Sequence, residues 1–192
     1  YNASNSTARY TVYLNGADWL NFRYLTLENI TSGSYKRVFE IENGANHLTF
    51  ENNVITNSSV NATSSNQSLM FYHSDNHEYQ KYFNNIFENG SFGLQLDGNT
   101  NSSNYLDGDS IIGNQFLNQY YRGLYVQYAN AIVIDSNIVT STSPYFGYYG
   151  IHLDDCENGG LELTKNQINI IGEIYYGIYL DDCDGTSSNH NL

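Results

Sequence analysis

The 192-residue sequence contains few basic residues, one proline and two cysteines. Lys and Arg total 7 against 20 Asp and Glu, which gives a formal net charge of -13. This shortage of positive charge excludes a nucleic-acid partner bound through a basic face, and it argues against an anionic membrane surface. The cysteines, Cys156 and Cys183, are too few for a disulfide scaffold and lack the spacing of a zinc site.

The sequence also lacks the ~20-residue apolar run of a membrane helix and a basic-then-apolar leader segment, so we expect no membrane insertion. It begins with Tyr1 rather than Met, and we interpret residues 1–192 as a single domain excised from a longer protein. Hydrophobic residues make up 40% of the chain, which excludes a disordered acidic tail. The 19 tyrosines and the abundant asparagines favour strands and turns over helices.

An internal repeat organises the whole chain. The segment Gly-Ile-His-Leu-Asp-Asp-Cys at 150–156 recurs 27 residues later as Gly-Ile-Tyr-Leu-Asp-Asp-Cys at 177–183, and weaker copies lie upstream. The first apolar residue of each of the seven copies is as follows: Val12, Phe39, Leu69, Leu94, Leu124, Ile151 and Ile178. Alternation of apolar and polar residues within each copy indicates a strand with one buried face.

Each repeat carries a second short strand, followed by an asparagine and then an apolar residue. The asparagines in this position are Asn53, Asn85, Asn114, Asn137 and Asn166. We therefore predict an all-β fold, a right-handed parallel β-helix (a solenoid) of about seven coils of 25–30 residues, with strands stacked ~4.8 Å apart. We expect the asparagines to form an inward hydrogen-bonded ladder, the alternative being that asparagine simply favours turns.

Several segments resemble a known module. The segments Tyr-Leu-Asn-Gly-Ala-Asp at 13–18, Leu-Thr-Leu-Glu-Asn at 25–29 and Phe-Glu-Asn-Asn-Val-Ile at 50–55 resemble the right-handed parallel β-helix repeat region of large secreted cell-surface proteins of Bacteroidota. Such proteins are often exported by the type IX secretion system. The resemblance implies an extracellular or cell-surface location, but the fold hosts adhesins, polysaccharide lyases, glycoside hydrolases and spacers alike.

Paired acidic residues are the first candidate for chemistry. The pairs Asp154-Asp155 and Asp181-Asp182 should stack one coil apart, and such neighbouring carboxylates repel one another or recruit a cation. Calcium, with its six to eight oxygen ligands, is the candidate ion, and the alternative is a solvated acidic face. The string Asp-Asp-Cys also occurs in polygalacturonases, but their other motifs are missing and the string repeats with the coil. The sequence therefore assigns no catalytic residue and requires no cofactor.

Tyrosines provide a better argument for binding. Two columns at the coil period are predicted to contact glycans: Tyr121, Tyr148 and Tyr175, and the outward column Tyr125, His152 and Tyr179. Flat aromatic faces beside carboxylates and amides suit sugar rings and hydroxyls. The alternative is an aromatic ladder that packs only against itself and stabilises the coils.

The expected function is a non-catalytic, rigid extracellular module used for adhesion, spacing or glycan contact, and the alternative is a carbohydrate-active enzyme, either a polysaccharide lyase or a glycoside hydrolase. Expected partners are a polysaccharide or cell-surface glycan, neighbouring domains of the parent chain, or further copies in end-to-end association. Cys156 and Cys183 should stack within disulfide range, and a bond and a pair of buried thiols both remain open.

Overall fold

The computed structural model describes residues 10–31, 33–73, 78–101, 105–157, 160–171 and 176–184. Within these ranges the chain forms twenty β-strands, one short 3-10 turn at Ser65–Gln67 and no α-helix, and none of its elements is a helix able to cross a membrane. The strands form three parallel sheets that wind as a solenoid. The predicted all-β parallel β-helix is confirmed.

Each coil contributes one strand to each sheet. The first sheet contains β1 (Tyr10–Asn15), β4 (Arg37–Glu42), β7 (Met70–His73), β10 (Phe92–Asp97), β14 (Arg122–Asn130), β17 (Tyr149–Glu157) and β20 (Tyr176–Asp181), and the short β11 (Leu106–Asp107) also pairs with β14. The second contains β2 (Asn21–Arg23), β5 (Thr49–Glu51), β8 (Lys81–Phe83), β12 (Ser110–Ile112), β15 (Val133–Asp135) and β18 (Glu162–Thr164). The third contains β3 (Thr26–Asn29), β6 (Val54–Asn57), β9 (Ile86–Glu88), β13 (Gln115–Leu117), β16 (Ile138–Ser141) and β19 (Gln167–Ile170). The described residues therefore make six complete coils plus a seventh strand of the first sheet.

Six of the seven residues that were predicted to stack on one another, one from each repeat, do pair in that register. Val12 pairs with Phe39, and the same column continues through Leu94, Leu124, Ile151 and Ile178. The third member is Met70 and not the predicted Leu69. The carbonyl of Leu69 accepts the N–H groups of both Val38 and Phe39 at 2.9 Å, so two residues of β4 lie opposite Leu69 and the regular pairing begins with Phe39 and Met70.

Apolar side chains fill the interior in columns, and each coil contributes one side chain to each column. Leu124 and Ile151 are fully buried as predicted, whereas Ile178 in the last strand is partly exposed. Aromatic rings also stack inside: Phe22 lies 5.1 Å from Phe50, and Phe50 lies 5.4 Å from Tyr82, between ring centroids. Because equivalent residues of neighbouring coils contact one another, the buried apolar core is continuous along the solenoid axis.

The predicted asparagine ladder is confirmed. In each of Asn53, Asn85, Asn114 and Asn137, the backbone N–H and Nδ2 both donate to the Oδ1 of the next asparagine, at 2.9–3.0 Å. Every Nδ2 also donates to a backbone carbonyl, for example Asn114 to Tyr82 O at 2.8 Å. The ladder runs through the corner between the second and third sheets, where it satisfies backbone groups that the turn would otherwise leave buried and unpaired.

Candidate functional site on the outer face of the first sheet

Three side-chain columns cover the outer face of the last three strands of the first sheet. They are Arg122–Tyr149–Tyr176, Tyr125–His152–Tyr179 and Gln127–Asp154–Asp181. The second and third columns face outward because they alternate along each strand with the buried core positions. The first column lies on the same face because its side chains pack against the second column. We call these nine residues the outer-face cluster.

The middle column stacks as predicted but is largely covered. The ring of His152 lies 5.0 Å from that of Tyr125 and 4.9 Å from that of Tyr179. Tyr125 is only 8% exposed and His152 only 6%, because neighbouring side chains lie over them. The prediction that these two residues contact a glycan is therefore corrected: they support the surface from below, and Tyr179 alone in this column is open to a ligand.

Arg122 holds the cluster together. Its guanidinium lies 4.2 Å from the ring centroid of Tyr125, 4.5 Å from Tyr121 and 5.2 Å from Tyr149. Its Nη2 donates a hydrogen bond to the hydroxyl of Tyr121 at 3.0 Å. Cation–π contacts of this kind stabilise by about 0.5–2 kcal/mol, more where water is excluded. The rings consequently have fixed positions before any ligand arrives.

The buried groups of the cluster do not titrate near neutral pH. Burial, together with the charge of Arg122, lowers the pKa of His152 to about 3, so its imidazole is neutral at pH 7. Neither His152 ring nitrogen has a hydrogen-bond partner among the residues that the structure describes. Burial, reinforced by Asp154, raises the pKa of Tyr125 above its usual value. Proton transfer by either residue at pH 7 is therefore disfavoured.

The third column carries the polar contacts. The Tyr125 hydroxyl donates to Gln127 Oε1 at 2.8 Å, and Gln127 Nε2 donates to Asp154 Oδ2 at 2.8 Å. Burial raises the pKa of Asp154, and the nearby Asp155 adds to the increase, while the hydrogen bond from Tyr125 opposes it. Asp154 and Asp181 pair in register, one strand apart. This edge offers carboxylate and amide groups of fixed position beside aromatic rings.

The residues of the other predicted column, Tyr121, Tyr148 and Tyr175, do not share one environment. Tyr121 is half-buried and packs edge-on against Phe92 at 5.2 Å. Tyr148 is fully buried, so the prediction that it contacts a glycan is wrong. Its hydroxyl points into the core and lies 3.5 Å from the position that a Cβ at Gly123 would take. Tyr175 lies outside the described residues.

The predicted acidic edge divides between two backbone environments. Asp154 and Asp181 have regular strand backbone, whereas Asp155, although inside β17, and Asp182, directly after β20, have positive φ of 50° and 45°. Among the residues that the structure describes, no three His, Cys, Asp or Glu side chains come together as a metal site would require. The geometry thus gives the suggested calcium site no support.

Sequence reasoning missed Arg122, Tyr149 and Tyr176, which form the first column. The signal was present, because tyrosine doublets occur at 148–149 and 175–176 and repeat with the coil. Periodicity alone does not tell which tyrosine of a doublet lies outward, since both members repeat every 27 residues. The structure resolves this: Tyr148 is fully buried, whereas Tyr149 packs against His152 at 4.8 Å and Tyr176 is 41% exposed.

Cys156 and Cys183 are free thiols in this structure. Cys156 is buried and Cys183 half-buried. A hydrogen bond from Cys156 lowers the pKa of Cys183, and that bond together with burial raises the pKa of Cys156.

Because the thiolate is the reactive species, we expect Cys183 to react with Ellman's reagent at least about tenfold faster than Cys156 in the native protein. The variants Cys156→Ala and Cys183→Ala assign the two rates. Equal rates, or thiols that appear only after reduction, would contradict this expectation and favour the disulfide.

Comparisons of the chain with protein-family models, curated proteins and solved structures found no match. The functional argument consequently rests on the outer-face cluster and on the solenoid that supports it, and the fold by itself does not distinguish an adhesin from a carbohydrate-active enzyme.

Proposed function

We propose that the chain is a non-catalytic, rigid extracellular module of a cell-surface or filament protein, used for spacing, adhesion and glycan contact. The observation that carries this proposal is the exposed rim of the outer-face cluster. Tyr176 and Tyr179 stack at 4.8 Å between ring centroids, and Tyr149 lies 5.7 Å from Tyr176. These rings border Asp154 and Asp181, so apolar faces and hydrogen-bonding groups are presented together, as sugar recognition requires.

Rigidity supports the same proposal. Arg122 packs over Tyr125 and against Tyr149, and the asparagine ladder links the coils on which the strands lie. A surface that is ordered before binding loses little conformational entropy when a ligand arrives. The extracellular location follows from the resemblance to secreted Bacteroidota surface proteins, and neighbouring domains of a longer chain or further copies are the proposed protein partners.

The test is native electrophoresis through gels cast with acidic or neutral polysaccharides, each with and without calcium. We expect retardation on at least one polysaccharide. The double variant Tyr176→Ala/Tyr179→Ala should bind about tenfold more weakly, since each aromatic contact contributes roughly 0.5–1.5 kcal/mol. Tyr24→Ala, which removes a 77% exposed ring from the first coil, is the matched control. Migration unaffected by every polysaccharide would leave only the spacer function.

One observation favours the enzyme as a second candidate. Asp154 and Asp181 pair in register on neighbouring strands. Strands lie ~4.8 Å apart, so two outward carboxyl groups on them can approach the ~5–5.5 Å separation found in retaining glycosidases. Burial raises the pKa of Asp154, as a general acid requires, although the charge of Arg122 opposes the increase. In the same gels, a zone of degraded polymer that disappears in Asp154→Asn would establish the enzyme. Binding without degradation would support the non-catalytic module.

A further inference from the structure

A second group of aromatic side chains stacks on the first coils, outside the site described above. Trp19, His47 and Tyr79 occupy the same corner of three successive coils, just before the second sheet, and we call them the ring column. The ring of His47 lies 3.9 Å from that of Trp19 and 5.6 Å from that of Tyr79, with interplanar angles of 20° and 8°. Trp19 is 72% exposed and Tyr79 47%.

The three residues of the ring column share an unusual backbone conformation. Trp19, His47 and Tyr79 have φ of 58°, 53° and 59°, in the left-handed region that bulky residues rarely adopt. The equivalent positions of the three later coils hold Gly108, Ala131 and Gly160, with φ of 71°, 49° and 89°. The later coils thus place small residues at this corner, whereas the first three coils place large rings there that stack on one another, which makes the ring column a candidate for a function beyond folding.

The ring column forms one wall of a groove that runs along the solenoid axis. The other wall is built by Asn21, Thr49 and Lys81, each two residues after a ring and stacked in register on the second sheet. The groove encloses about 150 Å³, less than the roughly 300–1,000 Å³ of pockets that take a whole drug-sized ligand. It therefore fits an extended ligand that lies along the axis and repeats its contacts from coil to coil.

The groove walls offer the groups that hydroxyls need. Asn21, Thr49 and Lys81 supply an amide, a hydroxyl and an ammonium group. The Lys81 ammonium forms no hydrogen bond or ion pair with any residue that the structure describes, so its three donors remain open to a ligand. The residues directly before the ring column link the three coils by hydrogen bonds: Asp18 accepts the Asn46 N–H at 2.7 Å, and Asn46 Oδ1 accepts the Glu78 N–H at 2.9 Å.

The negative charge of the protein around this groove favours a neutral polymer over an anionic one. The chain has a net charge of -13, and Asp18 and Glu78 lie directly beside Trp19 and Tyr79 in the sequence. A polyanion would be repelled by these carboxylates, and one lysine does not offset them. A neutral chain of sugar rings meets no such penalty, because it can pack against the edges of the stacked rings while its hydroxyls bond to the opposite wall.

We propose that the ring column and the facing residues Asn21, Thr49 and Lys81 form a binding site for a neutral polysaccharide laid along the solenoid axis. This site is built from the first three coils and is separate from the outer-face cluster of the last three. Either site can bind without the other, so the two proposals stand or fall independently.

Trp19 is the single tryptophan of the chain, so its fluorescence reports on this site alone. We would titrate the protein with neutral oligosaccharides (cello-, xylo-, manno- and malto-oligomers) and with oligogalacturonate. The expected result is a saturable change in emission with at least one neutral oligomer, little affected by salt, and a much weaker response to oligogalacturonate. Tyr79→Ala and Lys81→Gln should each raise the Kd about tenfold.

Controls separate binding from folding. Tyr24→Ala also removes an exposed ring at positive φ and should bind as the wild type does, and Tyr176→Ala/Tyr179→Ala should give an unchanged tryptophan titration. No emission change with any neutral oligomer would overturn the proposal, as would a preference for oligogalacturonate. If Tyr79→Ala lowered the melting temperature but left the Kd unchanged, the ring column would be structural only.

Discussion

Replacing Asn114 by alanine is expected to lower the free energy of unfolding by about 3–5 kcal/mol. Asn114 is fully buried, and its Oδ1 accepts from the backbone N–H and the Nδ2 of Asn85. Its Nδ2 donates to Tyr82 O and to Asn137 Oδ1. The substitution leaves these partners unsatisfied in the interior, where each orphaned group costs about 1–3 kcal/mol before relaxation. Equilibrium denaturation in urea measures the loss.

Asn169→Ala is the control, because Asn169 is an exposed asparagine of the third sheet whose side chain bonds only Gln167 among the described residues. Its effect should stay within about 0.5 kcal/mol. Since solenoids can lose cooperativity when one coil is weakened, the transition should be followed by both circular dichroism and fluorescence. A similar small effect in both variants would show that the ladder contributes turn geometry only.

Gly123→Ala is expected to destabilise the fold by about 2–3 kcal/mol, through overpacking between coils. A Cβ at this position would lie 2.6 Å from the carbonyl oxygen of Gly150 and 2.9 Å from Cγ1 of Val139. The carbonyl belongs to the backbone of the next coil, so the clash is relieved only by moving two coils apart. The same denaturation experiment measures the change.

The matched control lies in the same column. At Gly177 an added Cβ would meet, among the described residues, only Cγ2 of Ile168 at 3.8 Å, which is ordinary contact. Gly177→Ala should therefore change the free energy of unfolding by no more than about 1 kcal/mol, the scale of glycine's backbone entropy. Equal losses at the two glycines would show that alanine acts through the unfolded chain and not through crowding between coils.

These two predictions concern the framework on which both proposed binding sites depend. The ladder asparagines and the column glycines set the distance and register between coils, and the outward columns inherit that register. A ligand that contacts several coils at once is recognised only while this spacing is kept. Variants that weaken the framework should thus be checked for folding before any loss of glycan binding is interpreted.

Much of the fold was predictable because a solenoid repeats one local pattern. The 27-residue recurrence at Gly150 and Gly177 is enough to reveal the coil, and the asparagine series is enough to reveal the ladder. The one error in register, Leu69 for Met70, arose where two residues of β4 lie opposite Leu69, and both Leu69 and Met70 are apolar and buried. Pattern matching does not distinguish two adjacent apolar residues at such an insertion.

The candidate sites were less predictable, for a different reason. The sequence placed Tyr125 and His152 in an outward column, and they do lie there, but Arg122 and Tyr149 cover them. Whether an outward side chain reaches solvent depends on the side chains of the columns beside it. The ring column was missed because Trp19, His47 and Tyr79 differ in type and share no obvious motif.

By itself the sequence determined the all-β class, the coil period, the identity of the core columns and the asparagine ladder, because each of these follows from contacts that recur between neighbouring coils. Only the tertiary structure decided which tyrosines are buried, how Arg122 holds the outer-face cluster, and where the groove beside Trp19 lies. Those features depend on the sign of φ at the corners and on packing between columns. Neither quantity is carried by the spacing of residues along the chain.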